Sequence, residues 1–297
     1  MAASEATPRT LISRAQINRP RGKRLYWLMV IAVTILFTLI FIGPLYWMVT
    51  GALKSPRELT QTPPALLPSH PEFGNFGTAW TRLGLGRSLA NTLYYAFGAL
   101  AFQLAFDVAA AYSFSKLRPV FGKAILGLML VMMMIPATVL VVPQYVNILN
   151  LPIVHLDLID TPFAIWLPSV ANAFSIFLLK RFFDSIPDDL MAAAAIDGAS
   201  PMRALRSIVM PMSRPILGVV SIFAVTAVWK DFLWPLLVEE LQFSKEPINV
   251  AIYSQAAGIP QNIVIAGAAI AAVPTILFFL VFQKNIMSGL TTGGLKG

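Results

Sequence analysis

Residues Ser185–Pro211 read S-I-P-D-D-L-M-A-A-A-A-I-D-G-A-S-P-M-R-A-L-R-S-I-V-M-P, a polar stretch between two long apolar runs. Its punctuation predicts two short helices in succession. Ser185 is placed to N-cap the first, with Asp188 three residues on as in a capping box and Pro187 where no amide partner is needed. Asp188 and Asp189 suit the positive end of the helix dipole. Gly198 ends this helix, because glycine enters the left-handed conformation at little cost. Ser200 and Pro201 then open a second helix by the same N-cap and proline chemistry. Ala192–Ala195 give the first helix a smooth face that another backbone can approach closely. Well-capped helices between membrane spans form either an ordinary surface loop or a docking element.

The rest of the chain decides what surrounds this stretch. It has 297 residues, 57% of them apolar and 12% charged, with mean hydropathy +0.72; that is a membrane composition and not a soluble domain's. No cysteine is present, which removes disulfides and thiolate metal sites. The two histidines, His70 and His155, fall in separate loops, so no metal site or catalytic triad is expected. The net charge of +8 arises on one set of loops and implies topology, not nucleic acid.

Residues 1–24 are a basic tail carrying Arg9, Arg14, Arg19, Arg21, Lys23 and Arg24. The apolar run from Leu25 to Val49 is too long for a signal-peptide core and reads as a first transmembrane helix. Residues 51–87 turn polar and proline-rich, with Phe73, Phe76 and Trp80 available to pack. Further spans are expected at 89–115, 121–145, 160–182, 215–238 and 262–283, six helices in all. Each covers a hydrocarbon core of roughly 30 Å at ~1.5 Å per residue. Lys116, Arg118, Lys123, Lys180, Arg181, Arg203, Arg206, Arg214, Lys284 and Lys296 then share a side with the basic tail, whereas Lys54, Arg57, Arg82, Arg87 and Lys245 lie opposite. The basic side is cytoplasmic. Both termini and Ser185–Pro211 fall on it, and the acidic loops Asp157–Asp160 and Glu239–Glu240 face outward.

No G-x-x-x-x-G-K-[ST] occurs, so this chain is not expected to hold nucleotide phosphates. No G-x-S-x-G occurs either, and no catalytic residue is assigned. No internal repeat or inverted pair of halves is evident, which counts against a self-contained carrier. Three ionisable residues fall inside expected spans: Asp107, Lys230 and Asp231. Asp107 lies roughly 13 Å from the inner edge by helical rise, either as a buried acid bonded to a neighbouring helix or in a transport role. Lys230 lies roughly 22 Å up. In a continuous helix Lys230 and Trp234 share a face, which predicts that both turn into the bundle. Trp229, Lys230, Asp231 and Trp234 are therefore candidate solute contacts, by stacking and hydrogen bonding, or else ties between helices.

The Ser185–Pro211 stretch resembles the EAA loop of the permease subunits of bacterial ABC importers, in which E-A-A, three residues, Gly, nine residues and I-x-L-P recur. Ala193, Ala194, Gly198, Ile208 and Pro211 stand at matching places, and I-D-G-A-S-P (Ile196 to Pro201) is the carbohydrate-branch form. The family glutamate is replaced by Ala192, and the leucine before the final proline by Met210. Leu67 to Trp80 resembles the outer-face segment after the first span of carbohydrate permeases. Ala227 to Leu236 resembles their W-N-E-F-L-W-P segment, with Lys230 and Asp231 in place of Asn and Glu. Ile286 to Gly297 resembles the tail of the second, maltose-type permease.

The resemblance implies an all-α membrane protein of six transmembrane helices with a cytoplasmic helix–turn–helix coupling loop. Residues 1–24 would be its tail and 25–297 its permease domain. Within that domain 51–87 is an outer-face segment, 185–211 the coupling loop and 284–297 a cytoplasmic tail that is either a stub or reaches toward the ATPase. The implied function is sugar or oligosaccharide import in a bacterial cytoplasmic membrane, as a multi-pass, non-catalytic subunit. Its partners would be a second homologous permease, two ATPase subunits that hold ATP and Mg, an extracytoplasmic solute-binding protein and membrane lipid. Ala192, Ala193, Ala194, Asp197, Gly198, Ser200, Arg203 and Pro211 are the expected ATPase-coupling residues, with Asp188, Asp189 and Arg206 as supporting charges. A phosphorylated or acidic solute such as a glycerol phosphate, or a stand-alone secondary carrier, are the alternatives.

Overall fold

The computed structural model describes residues 20–239 and 244–292, and among them the regular elements are helices, with no strand. The first helix, α1 (Pro20–Ala52), has an apolar window with none of its residues buried within the chain. A helix apolar on all sides must be covered by lipid or by other helices. It starts inside the expected basic tail, so residues 20–24 are helical; residues 1–19 lie outside the described residues.

After α1 the chain folds back on itself. Ser55 and Glu58 form a full capping box on α2 (Pro56–Leu59), then α3 (Gly74–Arg82) and a left-handed Gly84 lead into α4 (Leu85–Tyr112). Lys54 is completely buried. Its ammonium donates to the Ala65 carbonyl at 2.5 Å and lies 4.2 Å from the Trp47 ring centre. Asn75 Nδ2 donates to the Ala52 and Lys54 carbonyls, and Asn262 Nδ2 to that of Lys54. These bonds satisfy the open end of α1 and tie it to the final helix, α14 (Gln261–Thr292). Phe76 packs into the cluster formed with α14, while Phe73 is left exposed.

Three helices are by themselves long and apolar enough to cross a membrane: Gly22–Ala52, Leu85–Leu117 and Gln261–Gln283. The other expected spans are not continuous helices. The third breaks into α5 (Gly122–Met133) and α6 (Ala137–Leu149), bent by 111°. Pro136 lacks an amide proton and restricts Ile135 before it, so α5 cannot run through. The fourth breaks into α7 (Pro162–Ser169) and α8 (Ala173–Asp184), bent by 47°. The last helix, α14, runs on to Thr292, past the expected start of the tail at 284, and residues 293–297 lie outside the described residues.

Asp107 explains how the fourth break is tolerated. It is fully buried on α4, accepts the Asn172 backbone amide at 3.0 Å and the Gln103 side-chain amide at 3.2 Å. Asn172 in turn N-caps α8 by accepting the Ser175 amide. A backbone freed at membrane depth is thus satisfied from a neighbouring helix, which is the helix-bonding reading of Asp107.

Candidate functional site

The stretch from Ser185 to Pro211 holds two helices joined at Gly198. These are α9 (Asp188–Ile196) and α10 (Pro201–Met212), the latter widened to a π turn at Leu205–Val209. Gly198 has φ +73°, and the Ala199 amide reaches back to Ala194 at 2.9 Å. Ser200 N-caps α10 by accepting the Arg203 amide, with Pro201 in the first turn.

The entry differs from expectation. Ser185 closes α8, donating its hydroxyl to the Phe182 carbonyl, and Pro187 precedes α9 with no side-chain cap. No capping box forms, because the Asp188 carboxylate is taken elsewhere. Lys116 and Arg118 each contact it at 2.8 Å, and the hydrogen bonds they donate, reinforced by their positive charge, hold its pKa below the ordinary carboxylate value. Asp197 contributes its backbone to the turn, and its carboxylate makes no hydrogen bond among the described residues.

One side of this element is buried in the bundle. Leu205 and Val209 share a core with Tyr112 on α4, Phe183 on α8, and Ile216 and Val220 on α11 (Arg214–Lys230). α10 meets α11 at 84°. The other side is open: Ala192, Ala193, Gly198, Ser200, Arg203 and Pro211 are all exposed, and within Ala192–Ala195 only Ala194 is buried. Ile196 is 87% exposed and Met202 54%. Both are large apolar side chains left open beside the Gly198 turn. Sequence reasoning named the alanines but passed over Ile196 and Met202, although isoleucine just before a helix-ending Asp-Gly was the available signal.

The second candidate set is not arranged as a single helix would arrange it. α11 ends at Lys230, Asp231 is extended (φ −67°, ψ 130°), and α12 (Leu233–Val238) follows. Pro235 is the cause: its ring clashes with the carbonyl four residues back, that of Asp231. The Asp231 carboxylate accepts the Trp234 amide at 3.3 Å and so caps the new helix. Lys230 is exposed and Trp234 buried, so the expected shared inward face of Lys230 and Trp234 does not exist. Trp234 donates its indole N–H to the Ala164 carbonyl at 2.9 Å. Trp229 is buried on another side, against a cavity of about 190 Å³ lined by Phe97, Thr226, Thr275 and Phe278. Among the described residues no group of His, Cys, Asp and Glu is placed to hold a metal.

Three long apolar helices and three broken ones, among the described residues, mark a multi-pass membrane protein. The chain belongs to the family described as binding-protein-dependent transport system inner membrane component, whose model matches residues 103–290. It is 29% identical to the diacetylchitobiose uptake system permease protein NgcG of Streptomyces coelicolor, over 89% of this chain and 87% of the relative. It is 30% identical to the sulfoquinovosyl glycerol transport system permease protein SmoH of Agrobacterium fabrum, over 86% and 88%. In fold it is similar to a chain of a crystallised bacterial ABC transporter involved in the import of the acidic polysaccharide alginate, with TM-score 0.77, 23% identity, and coverage of 93% of this chain and 99% of that one.

Proposed function

We propose that this chain is one of two transmembrane permease subunits of an ATP-driven importer for a sugar or oligosaccharide in a bacterial cytoplasmic membrane. The observation that carries the reading is the exposed face of α9 and α10, backed by the shared core with α4, α8 and α11. A non-catalytic subunit that must be driven by an ATPase needs such a face, one that binds outside and pushes inside. Relatives matched over most of their length and named for diacetylchitobiose and sulfoquinovosyl glycerol support the solute class.

In this reading the basic loops face the cytoplasm, and so do both termini and the α9–α10 face. Ala192, Ala193, Ala194, Asp197, Gly198, Ser200, Arg203 and Pro211, joined by Ile196 and Met202, meet one of two ATPase subunits that hold ATP and Mg. A second, homologous permease completes the path, and a solute-binding protein delivers solute to the outer face. Closure of the ATPase dimer moves α9–α10, and the helices that share its core rotate with it. Of the four candidate path residues, Lys230 is the exposed one, at the outer end of α11 where solute enters, while Trp229, Asp231 and Trp234 shape the helix break behind it.

Co-expression with the partner permease, ATPase and binding protein tests this. The expected result is a complex that retains the ATPase and, in proteoliposomes, takes up solute only with ATP and binding protein. Uptake by the isolated chain would instead identify a stand-alone carrier. A panel of sugars screened by the rise in Tm of the binding protein would name the solute. The exposed ammonium of Lys230 favours including acidic and phosphorylated sugars and glycerol phosphate in that panel.

A further inference from the structure

The end of α4 does not stop as an ordinary helix. It widens into a π turn at Ser113–Leu117 and closes on Arg118 in the left-handed conformation (φ 51°). π turns re-aim side chains relative to a regular helix, and here Ser115, Lys116 and the closing Arg118 reach the junction between α8 and α9. Ser115 donates to Asp184 Oδ1 at 2.7 Å, and Lys180 holds the other oxygen of Asp184 at 2.7 Å. Lys116, whose side chain is 4% exposed, donates to the Ile186 carbonyl at 2.6 Å and to Asp188 Oδ1 at 2.8 Å. Arg118 takes Asp188 Oδ2 at 2.8 Å while its Nε donates to the Ser115 carbonyl. Both oxygens of Asp188, the first residue of α9, are therefore held by a helix some 70 residues earlier in the chain.

We propose that Lys116 and Arg118 are positioning residues, which clamp α9 through Asp188 so that the docking face moves as one piece with α4 and α8. The proposal rests on the importer reading above and adds to it the polar half of the linkage. Leu205 and Val209 anchor α10 by apolar packing, whereas α9 has only Ala194 buried and would otherwise swing about Pro187 and Gly198. Apolar packing alone resists sliding poorly at a helix of alanines, since there is little side chain to interlock; a two-pronged ion pair fixes both rotation and distance. The clamp also removes Asp188 from the charges free to contact an ATPase, leaving Asp189, Arg203 and Arg206.

The test uses the complete assembly in proteoliposomes and reads solute taken up per ATP hydrolysed. Asp188→Asn and Arg118→Gln are chosen because both side chains are largely exposed (59% and 67%), so folding should tolerate them. Asp188→Asn should lower the ratio about two- to fivefold, the range of a partly exposed ion-pair network, with the ATPase still bound. Arg118→Gln should lower it less, since Lys116 stays in place, and should add nothing on top of Asp188→Asn. Amide exchange across residues 188–196 of the purified chain should speed up in both variants, a readout that needs no ATPase. Single losses that multiply in the double variant would mean separate contacts with the ATPase and would overturn the clamp. An unchanged ratio in Asp188→Asn would overturn it too, as would loss of the ATPase from that variant or unaltered amide exchange. A wild-type chain that gathers no ATPase while its exchange responds as predicted would sink the importer reading and leave the clamp as a property of the fold.

Discussion

Gly198 shows how much one residue's backbone can carry. A Cβ built there meets nothing within 4 Å, so any penalty for a side chain is purely conformational. Gly198→Ala should cost about 1–2 kcal/mol at the turn, and Gly198→Val more, because a β-branched residue is a strong outlier at positive φ. The expected outcome for Gly198→Val is an inserted chain in an assembly where the partner's ATP hydrolysis no longer drives uptake, and normal uptake would remove the turn from the coupling route. Glu58 offers a residue-level test by pH. Its carboxylate accepts the Ser55 and Ser69 backbone amides at 3.0 and 2.8 Å, which pulls its pKa from 4.5 to about 2. A depressed acid stabilises the fold fully above its ordinary pKa and loses that contribution as pH falls through the folded one. An NMR titration of labelled Glu58 should therefore show a midpoint near 2, with the cap intact at pH 4; a midpoint at 4.5 would mean that the cap is open.

At the scale of elements, the contact of α4 with α7 depends on a missing side chain. A Cβ on Gly98 would come within 2.2–2.4 Å of the Trp166 ring, and Trp166 is pinned by its indole bond to the Tyr95 carbonyl at 3.1 Å. Trp166 cannot step aside without losing that bond, so Gly98→Ala should destabilise by about 1–3 kcal/mol as overpacking does. A drop in Tm in detergent checks it, and an unchanged Tm would mean that α7 shifts freely. The α9 face makes the opposite prediction. Ala192 and Ala193 are both exposed, so Ala192→Glu should assemble normally while Ala193→Trp should exclude the ATPase by bulk. Copurification of the ATPase with the Trp variant would place the contact elsewhere.

At the scale of the whole molecule, three packed regions stand out among the described residues. One joins α4, α8, α10 and α11; a second joins the end of α1, the segment after it, the start of α4, α13 (Ile248–Ser254) and α14; a third joins α4, α6, α7 and α12 around Trp234. Of these, the first takes in side chains of the Ser185–Pro211 stretch. Lys230 ends α11 in that first region yet is exposed, so its removal should not loosen the chain. Lys230→Met should leave Tm unchanged and alter uptake or solute preference. Unchanged uptake with a lowered Tm would make it a structural tie.

The turn at Gly198 and the start of α10 were legible in the sequence because their signals are local. Gly198, Ser200 and Pro201 act through bonds within a few residues, and such chemistry reads off the chain directly. The apolar runs were legible for a similar reason, since crossing a membrane demands composition before it demands contacts. What lay beyond reach was every outcome decided by a distant partner. Ser185 and Asp188 satisfy the letters of a capping box, but Lys116 and Arg118 outcompete it because two opposite charges are stronger partners than one backbone amide. Lys54 reads as a surface base and is instead enclosed by Trp47 and Ala65. The break after Lys230 was half legible, in Pro235; that Trp234 then turns toward Ala164, away from Lys230, was settled by which helix lay beside it. Local chemistry starts and stops helices, whereas burial and charge pairing depend on neighbours that only the tertiary fold supplies.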